Sequence, residues 1–104
     1  IRVPVISGSL IDFTFIASRP TSVEEINNIF KEAAAKPEWQ GIMMVTEDPI
    51  VSSDILGNPH GSIVDLALTR VVDGTLVKIF SWYDNEWGYA SMLLKHVLTV
   101  AQIL

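Results

Sequence analysis

The chain has 104 residues, 49% of them apolar and 18% charged, and 12 acidic side chains outnumber 7 basic ones to give a formal charge of −5. This length and composition predict one globular domain and exclude intrinsic disorder. The acidic balance and the lack of a Lys or Arg cluster argue against a nucleic-acid partner. Without cysteine, these residues hold no disulfide, thiolate metal site or Cys nucleophile. The start at Ile1, with no basic leader, predicts no signal peptide.

The first part of the chain predicts a strand and then a helix. Residues Leu10 to Ala17 alternate between apolar and polar side chains, as a half-buried strand does. Arg2 to Val5 is expected to lead into this strand, with Ser7-Gly8-Ser9 as an irregularity. The segment Thr21-Ser22-Val23-Glu24-Glu25 holds two overlapping capping boxes, Thr21 with Glu24 and Ser22 with Glu25, which predict the start of a helix. Pro37 ends that helix, since it disfavours helical geometry at the preceding residue.

The middle of the chain predicts a short buried strand and a surface loop. Gly41 to Thr46 is nearly continuously apolar, which indicates a strand covered on both faces. Ile50-Val51 is expected to resume an extended segment briefly. Ser52 to Gly61 is rich in Ser, Gly, Asn and Pro, which is typical of a loop.

The last part of the chain predicts a hairpin and a long helix. Two strands, Ser62 to Val72 and Thr75 to Trp82, flank Asp73-Gly74, a dipeptide that favours a tight turn because both residues tolerate positive φ. The helix is expected to run from Asn85 to Leu104, capped by Asp84 or by Asn85 itself.

The predicted elements sum to an α+β fold, an antiparallel or mixed sheet layered with helices. No Gly-x-Gly-x-x-Gly follows a strand, so a dinucleotide-binding sheet is not expected within these residues. The final helix is apolar on more than one side, but Lys95 and His96 in its middle argue against a membrane span. We therefore expect it to be buried inside a larger protein.

The most unusual stretch is Ser81 to Tyr89, which places four large aromatic side chains, two acids and an Asn at a strand-to-helix junction. Asn85 carries a donor and an acceptor that match a carboxamide in a reciprocal pair, although an ordinary helix cap is the alternative. The planar fork of Arg2 could grip a phosphate, and a solvated surface arginine is the alternative.

The remaining candidates for acid-base or metal chemistry are better explained by structural roles. Asp48 and Asp54 lie in turn and loop sequences that favour hydrogen bonds from side chain to backbone. His60 has no second His or Cys nearby to complete a metal site, and His96 lies among apolar helix residues. For Asp65 the structural interpretation is also favoured. We therefore predict no metal ligand and no catalytic residue in this chain.

Four blocks of sequence resemble phosphorylating glyceraldehyde-3-phosphate dehydrogenase, and together they span nearly the whole chain. The eight-residue string Trp-Tyr-Asp-Asn-Glu-Trp-Gly-Tyr is far more specific than a short glycine motif. The blocks occur in the family's order: Arg2-Val3-Pro4-Val5 with Gly8 to Thr14, Thr46 to Asp54, His60 to Asp65, and Trp82 to Tyr89.

The resemblance implies that residues 1–104 are the C-terminal portion of the catalytic domain of such an enzyme. The family's dinucleotide-binding domain and its nucleophilic Cys precede this portion, so the chain by itself is expected to be inactive. The complete enzyme of the family is a cytoplasmic homotetramer. It converts glyceraldehyde 3-phosphate, inorganic phosphate and NAD, or NADP, to 1,3-bisphosphoglycerate and the reduced cofactor in glycolysis.

The resemblance also assigns three site residues. Arg2 matches the substrate-binding Arg that helps hold the phosphate of the substrate and inorganic phosphate. Asn85 matches the Asn that hydrogen-bonds the nicotinamide carboxamide, and Tyr89 the aromatic residue beside the nicotinamide. The chain departs from the family at Ala90-Ser91-Met92, where Ser-Asn-Arg is common, and at Gly61-Ser62, where Ser-Ser is common. An erythrose-4-phosphate dehydrogenase segment and a non-catalytic interaction module are the alternatives.

Overall fold

A five-stranded sheet with two helices forms the domain in the computed structural model, which describes all residues from 1 to 104. The elements lie in the order β1, α1, β2, β3, β4, β5 and α2. Their bounds are Ser9–Ile16 (β1), Val23–Ala35 (α1), Met43–Thr46 (β2), Ser62–Asp65 (β3), Arg70–Val72 (β4), Leu76–Tyr83 (β5) and Trp87–Ile103 (α2).

Strand β5 organises the sheet because it pairs with three other strands. Along its whole length it is antiparallel to β1, from Ser9 opposite Tyr83 to Ile16 opposite Leu76. Its other edge pairs with β3 near one end and with β4 near the other, both antiparallel. Strand β2 extends the sheet beyond β3 in parallel orientation, giving the order β1-β5-β3-β2. The predicted α+β fold with a mixed sheet is confirmed.

Helix α1 begins where the sequence predicts, but only one of the two capping boxes contributes a cap. The Ser22 side chain accepts a hydrogen bond from the Glu25 amide at 3.1 Å, which satisfies one free donor of the first turn. The Thr21 hydroxyl instead donates to the Glu25 carboxylate at 2.6 Å. The helix ends before Pro37, as predicted.

The predicted turn at Asp73-Gly74 is confirmed, in a slightly longer connection. Asp73 has φ +51° and Gly74 has φ +75°, the left-handed geometry that this dipeptide tolerates. Because Val72 pairs with Leu76, three residues rather than two join β4 to β5.

The prediction of one continuous strand from Ser62 to Val72 is wrong. Five residues separate Val64 from Arg70, whereas only two separate their partners Ser81 and Lys78 on β5. The three surplus residues cannot lie in the ladder, so the chain leaves the sheet in a 3-10 turn at Leu66–Leu68.

Arg2 to Val5 precedes β1 as an irregular segment. Two other predicted segments differ from the structure. Ile50-Val51 is not a strand, since β2 ends opposite the end of β3. Strand β2 is half-buried rather than covered on both faces, as expected for the outer strand of the sheet.

The domain exposes an unusual amount of apolar surface. Its accessible area is 7058 Å², whereas a compact monomer of this mass exposes about 5,800 Å². Only Gly88 of helix α2 is buried. No helix is both long and apolar enough to cross a membrane. The exposed large apolar side chains of β1 and α2 are Ile11, Phe13, Ile16, Trp87, Tyr89, Leu93, Leu94, Val97, Leu98, Val100 and Ile103.

Candidate functional site

The candidate site lies where β5 ends and α2 begins. The pairing of Ser9 with Tyr83 places the N-terminal segment beside this junction, although the two are more than 70 residues apart in sequence. The N-terminal segment, which carries Arg2, therefore meets three polar side chains at this end of the sheet: the carboxylates of Asp84 and Glu86 and the carboxamide of Asn85.

Asn85 is held by the N-terminal segment through its side-chain oxygen. Asn85 Oδ1 accepts a hydrogen bond from the Gly8 amide at 2.9 Å. The Nδ2 group makes no hydrogen bond within the chain, and the residue is exposed. The alternative in which Asn85 caps helix α2 is wrong, because its oxygen is used by Gly8 rather than by a first-turn amide.

Asp84 caps helix α2 instead. Its Oδ1 accepts from the amides of Trp87 at 2.8 Å and Glu86 at 3.0 Å, and its Oδ2 accepts from the Gly57 amide at 2.9 Å. The hydrogen bond from Gly57, followed by that from Trp87, lowers the pKa of this buried carboxyl below its usual value. Asp84 thus joins the loop before β3 to the start of α2.

Arg2 and Asn85 line the same open cavity of about 790 Å³, which we call the amide groove. The N-terminal segment, the start of β1 and the end of β5 form its walls. The Arg2 guanidinium is exposed and makes no ion pair or hydrogen bond within the chain, so all its donors are available to an anion. The structure therefore brings two of the three predicted site residues together.

Tyr89 lies in the first turn of α2 and lines a second cavity of about 240 Å³. It is 68% exposed. Ile11 and Tyr83 line both this cavity and the amide groove, so the two spaces adjoin across them. Tyr89 therefore flanks the groove rather than forming part of its wall.

Two polar groups at the site were not singled out from the sequence. Ser7 donates through its hydroxyl to Glu86 Oε2 at 2.6 Å, and Gly8 supplies the amide that holds Asn85. The only sequence signal was the irregularity Ser7-Gly8-Ser9. Gly8 has φ +97°, a conformation that glycine adopts readily and that explains the irregularity.

Two other acidic candidates, Asp54 and Asp65, make hydrogen bonds within the fold. Asp54 accepts from the Val51 amide at 2.7 Å and stabilises the loop. Asp65 is buried and accepts from the Trp82 indole at 3.0 Å. Neither carboxylate lines the amide groove.

His60 packs beneath the start of α2. Its Nδ1 lies 2.8 Å from Asn58 Oδ1, and its main-chain amide donates to the same oxygen at 3.0 Å. Burial, together with the positive charge of Lys95, lowers the pKa of His60. Because Asn58 Oδ1 can only accept, His60 Nδ1 is the donor in this contact, which is a structural arrangement.

Fold and groove define the class of this protein as an α+β domain that offers a free guanidinium and an amide donor at one end of a mixed sheet. Residues 1–85 match the family model for the glyceraldehyde 3-phosphate dehydrogenase C-terminal domain. The chain belongs to that family.

Individual members of the family match over most of the chain. It is 48% identical over 101 residues to the chromosomal glyceraldehyde-3-phosphate dehydrogenase of Cupriavidus necator, covering 97% of this chain and 30% of that protein. It is 52% identical over 93 residues to glyceraldehyde-3-phosphate dehydrogenase 2 of Streptomyces avermitilis, covering 89% and 28%. For the enzyme of Zymomonas mobilis the identity is 41% over 104 residues, covering 100% and 31%. The chain thus spans about 30% of the length of these relatives.

Proposed function

We propose that this chain is the part of a phosphorylating glyceraldehyde-3-phosphate dehydrogenase that contacts phosphate and nicotinamide. The complete enzyme would convert glyceraldehyde 3-phosphate, inorganic phosphate and NAD, or NADP, to 1,3-bisphosphoglycerate and the reduced cofactor in glycolysis. The single observation that carries the proposal is the shared groove, in which the Arg2 guanidinium and the Asn85 NH2 group are both free to bind ligands. The names of the relatives support the reaction.

Arg2 would bind a phosphate group of the substrate or inorganic phosphate. Its guanidinium has no partner in the chain, so an incoming anion does not have to displace a carboxylate. A planar guanidinium can donate two parallel hydrogen bonds to phosphate oxygens, and such charge-assisted bonds are about twice as strong as neutral ones.

Asn85 would bind the nicotinamide carboxamide through its NH2 group. Because Oδ1 already accepts from Gly8, the amide presents Nδ2 as its free polar group. It would therefore donate one hydrogen bond to the carboxamide oxygen of the cofactor, whereas a reciprocal amide pair would also need the Asn85 oxygen as an acceptor. Tyr89, exposed beside the groove, would flank the nicotinamide ring. The cofactor, when bound, supplies the hydride-accepting ring.

The nucleophile and the dinucleotide-binding domain would come from outside these residues, which hold no cysteine. Residues 1–104 would then form the C-terminal portion of a catalytic domain. The apolar side chains exposed on β1 and α2 support packing against that domain and against other subunits of a homotetramer. A cytoplasmic location follows from the proposed glycolytic role.

A chimera tests the proposal. This chain replaces the matching C-terminal segment of the Cupriavidus necator enzyme, and NAD-dependent formation of acyl phosphate is measured with glyceraldehyde 3-phosphate and with erythrose 4-phosphate. We expect activity with the former. Preference for the latter would favour the erythrose-4-phosphate dehydrogenase alternative, and a folded, assembled but inactive chimera would favour a non-catalytic module.

Two substitutions in the chimera separate the proposed roles. Arg2→Leu should raise the KM for phosphate by about 10-fold or more, since a hydrogen bond to a charged group contributes about 1.5–3 kcal/mol. Asn85→Ala should instead weaken NAD binding. Matched controls are Arg19→Leu and Asn28→Ala, at exposed positions outside the groove. Unchanged phosphate kinetics in Arg2→Leu would contradict the assignment of Arg2.

A further inference from the structure

The N-terminal segment is joined to the β5–α2 junction by side-chain hydrogen bonds at two consecutive residues. Ser7 contacts Glu86 and Asn85, and the next residue, Gly8, donates its amide to Asn85. The same segment carries Arg2. These bonds therefore connect the proposed phosphate ligand to the proposed nicotinamide ligand.

The Ser7 hydroxyl donates its hydrogen bond to Glu86 rather than to Asn85. A hydroxyl has one proton, and its oxygen lies 2.6 Å from Glu86 Oε2 but 3.4 Å from Asn85 Oδ1. The shorter contact is to a carboxylate, and charge-assisted hydrogen bonds are the stronger kind. The Ser7–Glu86 pair is thus the bond that fixes Ser7, and the Gly8 amide is the main donor to Asn85.

The Ser7–Glu86 pair sets the direction of the Gly8 amide. That N–H belongs to the peptide unit between Ser7 and Gly8, so anchoring Ser7 on one side orients the donor on the other. Gly8, at φ +97°, has more conformational freedom than other residues would have there. A bond at the preceding residue restricts that freedom.

We propose that Ser7 and Glu86 are positioning residues that hold Asn85 with its NH2 group available to the ligand and keep the Arg2 segment against the same groove. This inference rests on the proposed function, because it concerns how the nicotinamide-binding amide is oriented. Without the pair, the Asn85 amide can rotate and present its oxygen to the carboxamide oxygen of the cofactor, where two acceptors repel each other.

The experiment compares variants of the chimera. Ser7→Ala and Glu86→Ala remove one partner each, whereas Ser7→Thr keeps the hydroxyl and Glu86→Gln keeps an acceptor. Ser18→Ala, at an exposed serine near the opposite end of β1, is the matched control. We expect kcat/KM for NAD to fall about fivefold in each alanine variant, the worth of a typical net hydrogen bond. The two losses should not add in the double variant, because one bond is removed in both cases.

A cofactor analogue distinguishes positioning from simple destabilisation. In thionicotinamide adenine dinucleotide a sulfur, a weak acceptor, replaces the carboxamide oxygen. The preference of the chimera for NAD over this analogue should fall in Ser7→Ala and Glu86→Ala and return in Ser7→Thr and Glu86→Gln. General loss of stability lowers both activities alike and leaves this preference unchanged.

Hydrogen–deuterium exchange provides a readout that is independent of turnover. The Gly8 amide should exchange faster in Ser7→Ala and in Glu86→Ala than in the parent chimera or Ser18→Ala. Unchanged exchange at Gly8, or an unchanged preference for NAD in both alanine variants, would overturn the inference. If the parent chimera is inactive, the proposed function fails and the ligand role of the pair fails with it. Exchange at Gly8 still decides whether the pair orients that amide.

Discussion

Asp84 offers the sharpest test of how the candidate site is held together. Its two carboxylate oxygens accept three main-chain amides, two at the start of α2 and one in the loop before β3. Asp84 is only 5% exposed, so its carboxylate makes its hydrogen bonds to the protein rather than to water. Asp84→Ala removes all three bonds, and Asp48→Ala, at an exposed loop carboxylate, is the matched control.

The expected loss is about 2 kcal/mol of the free energy of unfolding. Removing an aspartate that caps a helix costs typically about 1 kcal/mol. The Gly57 amide also loses its acceptor, which costs about 1–3 kcal/mol when the donor is left unsatisfied. The lower end of this range applies, because Gly57 is exposed and water can accept from its amide when the carboxylate is removed.

Urea unfolding followed by tryptophan fluorescence measures this difference, and its pH dependence checks the cause. The folded protein lowers the pKa of Asp84 below its unfolded value of about 3.9. The stabilisation is therefore fully present above that value and is lost as pH falls through the lower, folded pKa. The difference between the parent and Asp84→Ala should be constant above about pH 5 and should shrink below about pH 4. A loss no larger than that of Asp48→Ala, or one independent of pH, would contradict the proposed role of Asp84.

Two further predictions concern the groups packed around the site. Trp82→Phe should cost about 1–3 kcal/mol of stability, because it leaves the buried Asp65 carboxylate without its indole donor. Trp39→Phe, at a more exposed tryptophan, should cost much less in the same urea titration. Burial lowers the folded pKa of His60 below its unfolded value of about 6.5, so the unfolded state takes up the proton first as pH falls. The free energy of unfolding should therefore decrease from pH 7 to pH 5. His60→Gln should remove this decrease, whereas the control His96→Gln should retain it. An equal decrease in both variants would contradict the role of His60.

Features that depend on neighbouring residues were predictable from the sequence. The start of α1 at Ser22 and the turn at Asp73-Gly74 are confirmed, because a cap and a turn are decided by residues within a few positions of each other. The junction at the end of β5 was also singled out, since its aromatic and acidic string is unlike ordinary loop sequence. Arg2 and Asn85 do lie together at that end of the sheet.

Features that depend on pairing between distant segments were not predictable. The break after Asp65 arises from the three-residue difference in register between β3 and β4 along β5, which local composition does not encode. Ile50-Val51 was expected to be a brief extended segment of the sheet, but β2 ends opposite the end of β3 and no strand pairs with these residues. In both cases the sequence shows what a segment can form, while the available partner strand decides what it forms.

Sequence alone predicts the α+β class, the local caps and turns, and the residues from which a ligand site could be built. Which atoms of those residues remain free depends on the tertiary structure. The Asn85 side chain can cap a helix, donate a hydrogen bond to a ligand or accept one from it, and the sequence does not distinguish these roles. The Gly8 amide, 77 residues away, occupies its oxygen and leaves the NH2 group. The physical reason is that a hydrogen-bonding group already satisfied within the fold is no longer available to a ligand, and that satisfaction depends on contacts the linear chain does not contain.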